Sequence, residues 1–246
     1  MNRTWKKPAA MVALFLVGAA ALALPASASA AVIKAAPGWP YRKSSDFVRK
    51  IDNPWFPLLP GMRWVSTGVK DAKKSVDHYV VTQKTKDILG VAATVVRDTL
   101  TQKGKVVEGT WDWYAQDKQG NVWYLGERTA EYNAAGQVIS RSGSWQAGVK
   151  GAQPGIFMPA HPKIGAGGYQ EYWPGQALDK YRILSLSASA TVPYGTFTHN
   201  TIRTRETTAL EPGIVDGKNY AKGIGQVAEQ TVKGPKETSF LVTFKQ

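Results

Sequence analysis

Residues Glu108 to Glu127 read EGTWDWYAQDKQGNVWYLGE, and this stretch decides the fold. Two runs rich in Trp, Tyr and Val flank Asp117-Lys118-Gln119-Gly120, a turn in which Gly120 tolerates positive φ. β-branched and aromatic runs bounded by turn residues are strands, so the stretch is a β-hairpin. Pairing Gln116 with Asn121 sets Tyr114 opposite Trp123, Asp112 opposite Leu125 and Thr110 opposite Glu127. Side chains alternate along a strand. One face then carries Val107, Trp111, Trp113, Ala115, Val122 and Tyr124 and is expected to be core. The other carries Glu108, Thr110, Asp112, Tyr114, Trp123, Leu125 and Glu127.

The same texture continues outward from the hairpin. Strands are expected at Arg63–Thr67, Asp77–Thr85, Ala92–Thr101, Val106–Gln116, Asn121–Thr129 and Gly168–Trp173. They are expected again at Lys180–Leu186, Thr196–Thr207, Val215–Ala221, Gln226–Val232 and Thr238–Phe244. No long amphipathic helix interrupts them. The fold class is therefore mainly β, with antiparallel sheets. A weak internal repeat sets Gly90 beside Gly195 and Tyr114 beside Tyr220. It suggests similar halves, 61–150 and 160–246, packed as a sandwich or a barrel-like body.

Residues 1–30 have the layout of a signal peptide: Arg3, Lys6 and Lys7, an apolar run from Ala9 to Leu24, then small residues with cleavage after Ala28 or Ala30. The expected localisation is secreted, periplasmic or otherwise extracytoplasmic, with no membrane span in the mature chain. Residues 31–60 form an extended lead-in. Ser45 caps a helical turn through Ile51, and Pro54, Pro57 and Pro60 then hold the path extended. Trp55, Phe56, Leu58 and Leu59 anchor it, and 61–246 is the β domain.

With no cysteine among 246 residues, disulfides, a thiol nucleophile and thiolate metal sites are excluded. His78, His161 and His199 lack metal-ligand spacing, so no metal and no cofactor is expected. There is no Gly-x-Ser-x-Gly elbow. Thirty-one Lys and Arg against 18 Asp and Glu give +13, dispersed along the chain. That charge suits an anionic cell-envelope polymer, while export argues against nucleic acid.

Rings beside carboxylates suit stacking and polar contact with a small molecule, a saccharide or an amphiphile. The candidate ligand-binding residues are Glu108, Asp112, Tyr114, Trp123 and Glu127. The first reading is a secreted ligand-binding protein. An alternative is a hydrolase or lyase acting on polysaccharide, with Asp112 and Glu127 as acid and base. A further one is a structural envelope protein.

IDNPWFPLLPG, ILGVAATVVRDT, TWDWYAQDKQGNVWYLGE, SWQAGVKGAQPGIFMPAHPKIG, VPYGTF and LEPGIVDGKNYAKGIG resemble a widespread family of exported bacterial proteins without an assigned function. Many of its members are lipoproteins, whereas this chain has no lipid-accepting Cys. The family carries Asp where Gln119 stands here, which argues against a metal at the hairpin tip. The run from Tyr220 to Gly225 is also similar to LolA-like and lipocalin-like proteins, which bind apolar ligands in a curved sheet. Neither resemblance implies catalytic residues.

Overall fold

The computed structural model describes residues 44–246, so the expected signal peptide and the start of the lead-in lie outside the described residues. A 3-10 turn at Ser44–Asp46 leads into β1 (Phe47–Val48). The helical turn expected through Ile51 is thus cut short, and Ile51 instead bridges Leu58. A first meander follows: β2 (Arg63–Lys70), β3 (Lys73–Ile88), β4 (Val91–Gln102), β5 (Lys105–Asp117) and β6 (Val122–Tyr132). The short strands β7 (Val138–Ser140), β8 (Trp145–Gln146) and β9 (Gln153–Met158) pair with β6. After β10 (Gly167–Tyr169) and β11 (Glu171–Tyr172) comes a second meander. It comprises β12 (Asp179–Val192), β13 (Gly195–Thr208), β14 (Val215–Ala221), β15 (Gly225–Lys233) and β16 (Thr238–Lys245).

Strand β16 pairs antiparallel with β2, which joins the meanders into one continuous sheet. The sheet curls until it nearly closes as a barrel. The seam is the segment expected as one strand, Gly168–Trp173. It is split: β10 pairs with β12, and β11 pairs with β9. Two strands at the sheet's ends thus share one short run of chain, which covers otherwise unpaired backbone groups.

No strand was expected at β9, whose Pro154 and Gly155 are poor strand formers. Pro154 pairs with Glu171, at the end of the sheet. A Cβ on Gly155 would stand 2.1 Å from the Tyr169 carbonyl oxygen, so the seam needs glycine there.

The hairpin register differs from expectation. Gln116 pairs with Val122, Ala115 with Trp123 and Tyr114 with Tyr124. A bulge follows, and then Trp113 faces Gly126 and Asp112 faces Glu127. The bulge rests on Gly126, whose φ is +133° and whose Cβ would meet the Trp145 carbonyl oxygen at 2.4 Å. The five-residue turn slips the register by one place and the bulge by another, which re-sorts the faces. Tyr124 therefore joins Tyr114, with stacked rings 4.8 Å apart. Trp111 and Trp113 lie on the other face of β5, where Trp113 is buried in the core as expected and Trp111 packs against it. There Arg97 stands over Trp111 at 5.3 Å and Lys86 over Trp113 at 3.5 Å.

Candidate functional site

The pleat sends an unusual set of side chains into the barrel. Cross-strand pairing aligns Trp64 with Tyr79, Tyr79 with Asp98 and Asp98 with Thr110. The adjacent layer aligns Val81 with Val96, Val96 with Asp112 and Asp112 with Glu127. The interior is thus layered with rings and carboxyls as well as aliphatic side chains.

Asp112 and Glu127 are 0% and 3% exposed. Both contact the Tyr124 hydroxyl, at 2.7 and 3.1 Å. A phenol carries one proton, so it donates to one carboxylate while the other contact needs a proton from its own carboxyl group. Burial raises the Tyr124 pKa well above its usual value, and the adjacent Asp112 and Glu127 raise it further. The phenol therefore stays protonated.

In the seam itself stands Glu171, wholly buried, with no hydrogen bond of 3.5 Å or less to either oxygen. Burial, then the nearby Asp179 and Glu127, push its pKa well above the ordinary 4.5. The Trp145 indole and the Asp179 backbone pull weakly the other way. Burial also lifts Asp216 to about 6 and Glu237 to about 7. A carboxyl whose pKa rises on folding contributes stability below its unfolded value and loses it as pH climbs through the folded one. Urea unfolding midpoints should therefore fall from about pH 4.5 toward pH 7. Glu171→Gln should flatten that fall and exceed the wild type at pH 7. A variant whose midpoints track the wild type across this range would remove Glu171 as the source.

The remaining sequence candidates go elsewhere. Glu108 forms an ion pair with the buried Lys70 at 2.8 Å. That pair borders a separate cavity of about 130 Å³ lined also by Glu131 and Tyr132. The Trp123 indole donates to Asp117 at 2.8 Å, and Asn121 donates to the same carboxylate from its backbone and its side chain. The structure thus brings together Asp112, Tyr114 and Glu127, and leaves Glu108 and Trp123 apart from them. The Asp112 and Glu127 carboxyls are enclosed rather than displayed.

One end of the barrel holds a cavity of about 70 Å³. Rings of Phe56, Trp64, Tyr79, Tyr114 and Phe157 line it, together with Asp77, Asp98 and Glu229. Of the five sequence candidates, only Tyr114 reaches it. The lead-in forms its cap. Asn53 takes part by donating to the Gly120 carbonyl at 2.9 Å, while its own amide donates to Gln116 at 2.8 Å. The Gly223 amide donates to the Pro54 carbonyl at 2.7 Å, and the Trp64 indole donates to the Ile224 carbonyl at 2.8 Å. These bonds fix Phe56 over the barrel mouth, 4.5 Å from Phe157 and 5.5 Å from Tyr114 between ring centroids. Sequence reasoning missed Phe56, Trp64, Tyr79 and Phe157 as site residues. The run of prolines around Trp55 and Phe56 was the available signal, and it marked an anchor rather than a wall.

The molecule is thus an antiparallel β-barrel, nearly closed, with carboxyls buried in a largely apolar interior and a capped cavity at one end. Among the described residues no helix is long and apolar enough to cross a membrane, and no cluster of His, Asp or Glu has the geometry to hold a metal ion. No family model matches the chain, and no curated protein matches it. Two solved structures are similar to it. One is a candidate exported protein with a YmcC-like fold from Bacteroides fragilis, 15% identical, covering 78% of this chain and 99% of its own at a TM-score of 0.46. The other is a candidate lipoprotein from Parabacteroides distasonis, 13% identical over the same shares, at a TM-score of 0.36.

Proposed function

We propose that this is an exported ligand-binding protein that holds an amphiphile, or part of a saccharide, in the capped cavity at the barrel end. One observation carries the reading. Sequence stretches far apart in the chain converge on that one space. Phe56 comes from IDNPWFPLLPG, Tyr114 from the aromatic hairpin, Phe157 from the PGIFMPA run, and Ile224 and Gly225 from the YAKGIG run. These stretches carry the resemblance to exported proteins, and the last carries the similarity to lipocalin-like ones. A purely structural end would be filled; this one is left open by rings that already touch one another.

The hydrolase alternative finds less support. Asp112 and Glu127 share the Tyr124 hydroxyl beneath the cavity's aromatic lining, where a glycosidic oxygen has no path to them. Tyr114 stays in the proposed site as a wall. Asp112 and Glu127 act through it, as the buried layer on which Tyr114 and its stacked neighbour Tyr124 rest.

The test is to fill the space. Ser66 lines the cavity and is half-buried between Asp77 and Leu241 on the neighbouring strands. Ser66→Leu should keep the far-ultraviolet circular dichroism of the wild type. It should also abolish saturable changes in Trp fluorescence when alkyl amphiphiles or methyl glycosides are titrated. An unchanged titration in the filled variant would remove the ligand from this cavity.

A further inference from the structure

This inference rests on the cavity being the ligand site and concerns what the ligand is. The chain has 31 basic side chains to 18 acidic ones, so an average patch of it is basic. The cavity reverses that balance: three carboxyl side chains line it, and no Lys, Arg or His does. The strands put them there by alternation. Asp77 and Tyr79 sit two residues apart on β3 and share a face, and Tyr79 stands opposite both Trp64 on β2 and Asp98 on β4. On β15, which β16 joins to β2, Gln226 donates to the Glu229 carboxylate at 2.9 Å and orients it.

The rings act with the same sign as the carboxylates, because an aromatic face is the negative part of the ring's quadrupole. Phe56, Tyr114 and Phe157 form one cluster, and Trp64 and Tyr79 meet edge to face with centroids 5.6 Å apart. The Tyr79 and Tyr114 hydroxyls lie side by side in this cavity lining. An anion would meet carboxylates and ring faces of its own sign. A neutral sugar would use the acceptors and stack its C–H groups on the rings, but a cation draws more from the ring quadrupoles and from the carboxylates together.

We infer that the cavity binds a small organic cation, an alkylammonium or trimethylammonium group, with any longer tail leaving through the mouth. The cation sits between the Phe56–Tyr114–Phe157 cluster and the Trp64–Tyr79 pair. Asp77, Asp98 and Glu229 balance its charge.

The experiment titrates the protein with tetramethylammonium chloride and with its uncharged counterpart of similar shape, 2,2-dimethylpropan-1-ol, following Trp fluorescence at constant ionic strength. Saturation by the cation at least tenfold tighter than by the alcohol is the expected result. Asp98→Asn and Glu229→Gln should each weaken the cation at least fivefold and leave the alcohol within twofold. Co-sedimentation with phosphatidylcholine vesicles, competed by tetramethylammonium, would make the natural source a lipid headgroup. Binding of the salt without co-sedimentation would make it a soluble amine, and both results uphold the cation. If the alcohol or methyl glucoside binds as tightly as tetramethylammonium and Ser66→Leu abolishes it, the cation is wrong and the ligand cavity stands. If no probe saturates, or Ser66→Leu changes nothing, both are wrong.

Discussion

Lys218→Met should lower the free energy of unfolding by about 3–5 kcal/mol, because it leaves a buried carboxylate without its partner. Lys218 lies on β14, facing the barrel interior, and its ammonium meets Glu206 at 2.8 Å with side-chain exposures of 1% and 5%. Burial alone would depress the lysine pKa. The Glu206 carboxylate, with Glu229 and Asp216 nearby, outweighs that and raises it. Glu206 is also held by Thr204 at 3.0 Å and by the Tyr220 hydroxyl at 3.1 Å, so it cannot swing out to solvent when the lysine is removed. Urea unfolding followed by Trp fluorescence measures the loss. Adding Glu206→Gln to Lys218→Met should recover more than half of it, since the orphaned charge is then gone. A single variant within about 1 kcal/mol of wild type would mean that the pair is solvated in solution.

Phe56→Ala should cost about 3–5 kcal/mol as well, through a different cause: lost apolar transfer plus the void left behind. The ring is 5% exposed and packs on Phe157, Tyr114 and Tyr220, with centroids 4.5, 5.5 and 6.3 Å away. It is the main side chain by which the lead-in closes the barrel end. Phe56→Leu, which keeps part of the volume, should lose less. Both variants should widen the cavity and relax its size selection, so that larger headgroups bind them better than they bind wild type. A cost below about 1 kcal/mol for Phe56→Ala would show that the cap collapses over the gap or is not packed.

We also propose that the two meanders descend from one duplicated unit. Tyr114 on β5 and Tyr220 on β14 are each 1% exposed, and both contact Phe56. The turns at Gly90 and Gly195 join β3 to β4 and β12 to β13, each pair leading into the strand that carries the tyrosine.

Much of the fold was legible because it is written in local chemistry. Runs of Val, Thr, Tyr and Trp between turn residues marked the strands of both meanders, and Val215–Ala221 has the expected bounds. The candidate site was legible only in Tyr114. Reading Glu108, Asp112 and Glu127 as a displayed polar face assumed that carboxylates mark the solvent side of a sheet. Here Asp112 and Glu127 are instead buried among apolar side chains, and no alternation pattern reveals it, since both faces of β5 and β6 are mostly buried.

By itself, then, the sequence determined that the protein is β throughout its described length, antiparallel and free of disulfides, and that its hairpin alternates rings with acids. Those properties depend on backbone preference and residue type alone. The tertiary structure decided which way the hairpin faces, because register depends on one turn length and on the bulge at Gly126. It also decided where a site exists, because Phe56, Trp64, Tyr79, Tyr114 and Phe157 meet only when the lead-in caps the end of the barrel.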